Sequence, residues 1–515
     1  MDIKNSFLLT TGLFAGLASL EAQTVKKPNV ILIMTDQQRG DCIGVTNPAV
    51  KTPNLDALAR EGVCFDNGYS TTPSSTPARA ALLTGMSPWH HGMLGYGKVA
   101  RKYKFEMPRM LRQAGYYTFG IGKMHWFPQK SLHGFHGTLV DESGRIEQDG
   151  FVSDYRDWFK LQAPGKNPDQ LGIGWNDHAS GVFPLEERLH PTAWTGETAV
   201  EFIENYNEDK PLFLKVSFAR PHSPYDPPQR YLDMYKDVQV PEPVIGEWAA
   251  SFANYPKKKD AAFGDYGVKH AVESRRHYYA NITFIDDQIG QIIQALKDKG
   301  LYDDAVIIFV SDHGDMLGDH YHWRKTYPYE GSTNVPFLLR LPEWMKMAVK
   351  PGAHLSYPVE LRDILPTFLD AAGAKVPEGM DGASMLPLVR SKKPQWREYI
   401  DLEHATCYSA NNYWCALTDG KMKYVWGFHD GKEQLFDMTK DPGEKVNLAG
   451  NKKYRKALEL WRGRMVAHLS ERGEEYVKDG QLQVLKKTRL YSPNYPEGES
   501  ENRNLKYWLE EAKFD

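Results

Sequence analysis

Cysteine is scarce. The chain of 515 residues has four, Cys42, Cys64, Cys407 and Cys415, and none sit at CxxC spacing. That argues against a thiolate zinc site and a disulfide-built scaffold; a Cys407–Cys415 bridge and buried free thiols both stay open. Excess charge is missing too. Lys and Arg number 63 and Asp and Glu 66, a formal charge of -3, with no long run of one sign. Neither a nucleic-acid partner nor a polybasic membrane patch is indicated. No internal repeat is visible. Past the N-terminus, no apolar run approaches the ~20 residues that a bilayer needs, so stable membrane insertion is not expected.

The N-terminus has its own pattern. Lys4 is followed by an apolar stretch from Phe7 to Leu20 and by the small residue Ala22. This reads as a secretory signal peptide over residues 1–22, cleaved near Ala22, and predicts a periplasmic or secreted product. No cysteine lies near the cleavage point, so a lipid anchor is not expected.

Four apolar runs have the length and continuity of strands buried on both faces: Asn29–Met34, Tyr116–Ile121, Pro211–Phe218 and Ala305–Val310. Helical patterns lie between them. Thr52-Pro53 opens one that Gly62 stops, Met107–Ala114 ends at Gly115, His277–Lys299 is long and amphipathic, and Leu361–Ala372 ends at Gly373. Strands alternating with helices predict an α/β domain over residues 23–393, a large mostly parallel sheet sandwiched by helices. After about Pro394 the pattern changes. Asn412–Leu417, Lys423–Trp426 and Gln434–Phe436 read as short antiparallel strands, and Lys452–Leu469 as a helix. Residues 394–515 are therefore expected to form a smaller α+β subdomain. Its polar tail from Tyr491 is expected to lie across the surface or stay mobile.

Each long run leads into ionisable residues: Asp36-Gln37, Lys123-Met-His125, Arg220-Pro-His222 and Asp312-His313. Carboxyl ends of parallel strands line the ligand crevice, so adjacent strands would make these side chains converge. Asp36 and Asp312 would then repel unless a cation lay between them, and oxygen-rich surroundings suit Ca²⁺ or Mg²⁺. One such Asp alone would read as a helix cap; two matched strand endings do not. The stretch Ser75-Thr-Pro-Ala-Arg79 places a serine at the start of a helix expected to begin near Pro77. Arg79 lies one turn on, able to face the same anion. With Lys123 and Lys325 these groups outline a pocket for a phosphate or sulfate ester.

Ser75-Thr-Pro-Ala-Arg79, continuing to Leu83-Thr-Gly85, resembles the signature of the type I sulfatases, in the alkaline phosphatase superfamily. The likeness extends through Gly122-Lys-Met-His125, Arg220-Pro-His-Ser-Pro224, Ser311-Asp-His-Gly314, Lys325 and Leu435–Pro442 with Asn447-Leu448. It implies an alkaline phosphatase-like fold and a serine-type bacterial carbohydrate sulfatase. Ser75 would be oxidised to Cα-formylglycine by the radical-type maturating enzyme of anaerobes. It also implies a calcium ion, in preference to Mg²⁺, on Asp36, Gln37, Asp312 and His313. Gln37 and His313 stand where many members have Asp and Asn. As the resemblance has it, a formylglycine hydrate attacks sulfur while Arg79, Lys123 and Lys325 hold the sulfate. His222 then protonates the leaving alcohol, and His125 helps to reform the aldehyde.

Candidate sugar contacts are Trp89, His90, His91, Trp126, Trp175, His178, Arg220, His320, His322 and His404, aromatic, imidazole and cationic groups in predicted loops. Together they favour a carbohydrate over a lipid or steroid. The resemblance to exported serine-type sulfatases implies a glycosaminoglycan-derived oligosaccharide, with a chondroitin-type hexosamine O-sulfate as the leading substrate and a uronate 2-sulfate or a mucin-type galactose sulfate open. Two other readings compete. One is a phosphoester hydrolase of the same superfamily using unmodified Ser75. The other is an inactive protein that binds sulfated glycans.

Overall fold

The computed structural model describes residues 26–498. The expected signal peptide and the last residues of the tail lie outside the described residues. Ten strands build the first part of the chain: β1 (Asn29–Asp36), β2 (Val63–Phe65), β3 (Gly68–Tyr69), β4 (Tyr117–Gly122), β5 (Gly137–Val140), β6 (Leu212–Pro221), β7 (Ala305–Ser311), β8 (Phe337–Arg340), β9 (Ala353–Leu355) and β10 (Val359–Glu360). Eight of them form one sheet in the order β5-β4-β6-β1-β7-β8-β2-β9, while β3 pairs with β10. Within that sheet only β8 runs against its neighbours. The four long apolar runs are its adjacent centre, β4-β6-β1-β7.

Alternation along the strands explains how both faces are filled. Val30, Leu32 and Met34 of β1 join one core with Val306, Ile308 and Val310 of β7 and with the helix Ser75–Thr84. Ile31 and Ile33 join a second core with Ile285, Ile289 and Ile292 of the helix Val268–Asp298. All of these side chains except Ile285 are fully buried, and burying each contributes about 1.5–3 kcal/mol before entropy is counted. Two further steps along β1 and β7 bring Asp36 and Asp312 onto the face of the Ser75 helix. The strands therefore aim both carboxylates as well as filling the core.

Several boundaries differ from the sequence reading. The Ser75 helix starts at Ser75, with Pro77 inside its first turn, where the missing N–H has no intrahelical partner to lose. The long helix begins at Val268, nine residues before His277. Its polar first turns are held by bonds from Ser274 to the His178 carbonyl and from Arg275 to Asp319. The described start of the tail is less superficial than expected. Tyr491, Ser492 and Tyr495 are buried, and the Leu490 carbonyl accepts from the Leu94 amide. All four cysteines are buried and unbridged.

A four-stranded antiparallel sheet follows, in sequence order: β11 (Ile400–His404), β12 (Trp414–Thr418), β13 (Met422–Gly427) and β14 (Glu433–Asp437). The helix Arg455–Leu469 packs on it, burying Leu458, Trp461 and Met465. The architecture is thus a mostly parallel α/β sheet with helices, followed by a smaller antiparallel sheet. No helix among the described residues is long and apolar enough to cross a membrane.

Candidate active site

Asp36 ends β1, Lys123 follows β4, His222 follows β6 and Asp312 follows β7. Gly122 permits the turn at Lys123. Its φ is +88°, and a Cβ there would sit 2.1 Å from the Ser217 carbonyl oxygen. Against β1, β6 slips register before Pro221, which brings the His222 amide to the Asp36 carbonyl at 3.0 Å.

Ser75 stands in the first turn of a helix whose ten residues are all buried. Its Oγ lies 3.3 Å from Asp36 Oδ2 and 3.1 Å from His313 Nε2. His313 Nδ1 donates to the Gly314 carbonyl at 3.0 Å. A carbonyl can only accept, so the Nε2 lone pair faces Ser75. The preceding residue, Ser74, leaves its capping role unused, and its Oγ bonds His404 Nε2 of β11 at 2.7 Å. The antiparallel sheet therefore reaches the residue next to Ser75.

Arg79 ties the two carboxylates together. Nε donates to Asp312 Oδ2 at 2.9 Å and Nη2 to Asp36 Oδ2 at 3.0 Å. Nη1 bonds the Lys123 carbonyl at 2.7 Å and Ser217 Oγ at 3.1 Å. Four of the five guanidinium N–H groups are thus taken by protein, so Arg79 holds the carboxylates more than it offers donors to a sulfate. Lys123 Nζ adds a contact to Asp36 Oδ2 at 2.6 Å. Burial works to raise the Asp36 pKa, but Lys123, His222 and Arg79 overcome it and hold the carboxyl well below its usual range. Burial pushes the Lys123 ammonium down to about 8, with Arg145 adding to the effect and Asp36 opposing it.

Lys325 is placed by the second sheet. The carbonyl and Oγ1 of Thr326 accept from Trp414 Nε1 and Asn412 Nδ2. Lys325 Nζ reaches His222 Nε2 at 2.7 Å and Gln37 Oε1 at 2.8 Å. His222 Nδ1 faces the Ser223 carbonyl at 2.9 Å, so Nε2 accepts and the two groups share one proton. Burial brings Lys325 down to about 7. His125 is buried, its Nε2 3.4 Å from both Glu147 Oε1 and the Tyr96 hydroxyl.

Asp36, Asp312 and His313 can bring ligand atoms within 4.8 Å of one another. Asp36 Oδ1 is buried without a hydrogen-bond partner, and His313 offers a ring nitrogen within the same group. This donor set fits one hard divalent cation. Gln37 Oε1 carries the Lys325 bond on one lone pair and has a second available.

Ser75 opens into a cleft of ≈ 320 Å³ lined by Tyr96, His125, Arg145, Trp175, Lys325 and Tyr408 among others. A larger hollow of ≈ 790 Å³ lies by Tyr302 and Arg340, at the end of β7 opposite the carboxylates. Of the ten expected sugar contacts only Trp175 lines the cleft. The others are engaged by the protein. Trp89 packs on Tyr476 under Arg472, His90 pairs with Asp381 and Glu471, and His91 accepts from the Met93 amide. Trp126 lies between His133 and Phe135. His178 stacks on Trp323, Arg220 is clamped on Asp226, and His320 and His322 sit among Trp248, Phe263 and Tyr329. His404 holds Ser74. Sequence reasoning missed Tyr96, Arg145, Glu147 and Tyr408, which come from irregular segments without a periodic signal.

The family profile described as Sulfatase matches residues 28–374, which span every group described above up to Lys325. The chain belongs to the sulfatase family. It is a sulfuric ester hydrolase by that membership. A second profile, N-sulphoglucosamine sulphohydrolase, C-terminal, matches residues 318–471 of this sulfatase. An arylsulfatase of Clostridium perfringens is 40% identical over 475 residues, covering 88% of this chain and 97% of the relative. An N-acetylglucosamine-6-O-sulfatase of Bacteroides thetaiotaomicron is 28% identical, covering 86% of each. Two solved structures share the fold of this sulfatase. A protein in complex with its substrate D-glucosamine-2-N,6-O-disulfate is 23% identical, with a TM-score of 0.70 over 87% of this chain and 98% of that one. A phosphonate monoester hydrolase from Silicibacter pomeroyi is 25% identical, with a TM-score of 0.71 over 86% and 96%.

Proposed function

We propose that this sulfatase hydrolyses sulfate esters of carbohydrates, with a Cα-formylglycine formed from Ser75 and one calcium ion. The observation that carries the reading is the position of Ser75. Its Oγ touches Asp36 and His313, at the first turn of a buried helix whose start lines the cleft. Asp36, Asp312, His313 and Gln37 would hold the ion, which would supply positive charge beside the sulfate and the nucleophile. Hydrated formylglycine would supply two hydroxyls, one to attack sulfur and one to release the sulfate afterwards. Oxidation would fall to a radical-type maturase before export.

The chain's own groups do the rest. Arg79 and Lys123 keep Asp36 ionised in a dry site. The proton shared by Lys325 Nζ and His222 Nε2 is the acid for the leaving alcohol. His125, with Glu147 beside it, lines the cleft as a base for the later step. Trp175 offers a face to a sugar ring.

The substrate proposed first is a chondroitin-type hexosamine O-sulfate. Among relatives, a hexosamine 6-O-sulfatase and an ulvan-active sulfatase support a carbohydrate. Sulfate release from a panel of defined sulfated disaccharides tests this, with phosphate and phosphonate esters alongside. Turnover confined to phosphorus esters with Ser75 unmodified would favour the second reading, which the phosphonate monoester hydrolase neighbour supports.

Divalent-cation removal gives a separate check. Incubation with a chelator is expected to lower sulfate release by roughly 100-fold or more, since electrostatic stabilisation at a dry site is large. Added Ca²⁺ should restore it. Full activity with the protein shown to be metal-free would contradict the assignment of Asp36, Asp312 and His313.

A further inference from the structure

Arg145 follows the turn Glu142-Ser-Gly, and its side chain enters the cleft beside Ser75, His125 and Lys325. Among the described residues it makes no salt bridge there, although the Glu147 carboxylate feels its charge. The residue is 9% exposed, and Nη1 is buried without a hydrogen-bond partner. Glu147, the carboxylate lining the same cleft, sits 3.4 Å from His125 instead. The guanidinium lies over the Trp175 ring, 5.0 Å from its centroid, which fixes its plane without neutralising it.

An arginine cannot shed its proton to escape burial, and an unpaired buried charge is strongly unfavourable. The neighbours add to the strain. Lys123, Lys325, His125 and His222 all feel the Arg145 charge, after the larger effect of burial. Like charges gathered around one hollow indicate an anion that belongs between them. Arg79 does not supply a free fork, because four of its donors are used inside the protein. Arg145 does, and a tetrahedral sulfate presents oxygens at the spacing such a fork accepts.

We propose that Arg145, held against Trp175, is a sulfate-binding residue of this enzyme whose guanidinium closes from the cleft side on the same ester sulfate that Ser75 faces. The assignment rests on the sulfatase reading of the Ser75 site.

The test uses 4-nitrophenyl sulfate, whose only anion is the ester sulfate, beside a uronate-bearing sulfated disaccharide. Arg145→Met is expected to lower kcat/KM by roughly 100-fold or more on both, and to raise the inhibition constant of inorganic sulfate by roughly 10-fold or more. Arg145→Lys should fall between Met and wild type. Formylglycine content at residue 75 should match wild type, and thermal melting of Arg145→Met should be equal or higher, since it removes an unpaired buried charge. If Arg145→Met does not fold, the Lys variant and its sulfate inhibition carry the comparison. Loss on the disaccharide alone would assign Arg145 to a second acidic group and overturn the proposal. Unchanged kinetics on both substrates would also overturn it while leaving the sulfatase reading intact. Wild-type protein carrying formylglycine but releasing no sulfate from either substrate would remove both.

Discussion

Arg79→Met is expected to destabilise the metal-free protein by about 3–5 kcal/mol, the range for breaking a buried ion pair by removing one partner. The Arg79 side chain and both carboxylates it bridges are fully buried. Methionine fills much of the volume but leaves Asp36 with only Lys123 and Asp312 without its guanidinium partner. The pH dependence has a definite sign. Asp36 is held below its ordinary value in the folded protein, so its stabilising contribution is present above the unfolded value of about 3.9 and is lost as pH falls through the folded value. The gap between wild type and variant should therefore be widest near neutral pH and narrow in acid. Added Ca²⁺ should recover part of the loss by replacing one positive charge with another. Thermal melting in chelator across a pH series measures this. Coincident curves for the two proteins at neutral pH would show that Arg79 does not neutralise the pair.

Ser75→Ala is expected to reduce sulfate release on the order of 10⁴-fold or more, the scale seen when a nucleophile is deleted. Stability should move by only about 1 kcal/mol, because the Ser75 hydroxyl makes long contacts of 3.3 and 3.1 Å. Substrate binding should survive, since Lys123, Lys325 and the cleft wall are untouched. Ser74→Ala is the matched control. It removes the His404 contact one residue away and should cost far less activity. Equal losses from the two substitutions would mean that the helix start, and not the Ser75 side chain, matters.

The cluster around Ser75 was legible because most of it lies at the ends of regular structure. β1, β4, β6 and β7 are continuous apolar runs, and each ends on or is followed at once by an ionisable residue, so strand adjacency alone gathers Asp36, Lys123, His222 and Asp312. The rest of the cleft wall was not legible. Arg145, Tyr96 and Tyr408 lie on irregular segments, where neither the 2.0 nor the 3.6 period applies. Nine of the ten expected sugar contacts lie away from the cleft, for a different reason. A histidine or tryptophan beside a catalytic motif reads the same whether it faces solvent or a protein partner. His404, His320 and His322 all found partners inside, and a single sequence carries no sign of that. Lys325 is an intermediate case. The motif marks the residue, but its position depends on bonds from Asn412 and Trp414 across the second sheet.

The central claim is that Ser75, as the aldehyde, is the reacting group. Mass spectrometry of the Ser75 peptide, on protein matured to different extents and assayed for sulfate release, tests it most directly. The account predicts a peptide two hydrogens lighter than the serine form, hydrated or not, with activity proportional to its fraction. Full sulfate release from protein whose residue 75 is entirely unmodified serine would contradict it.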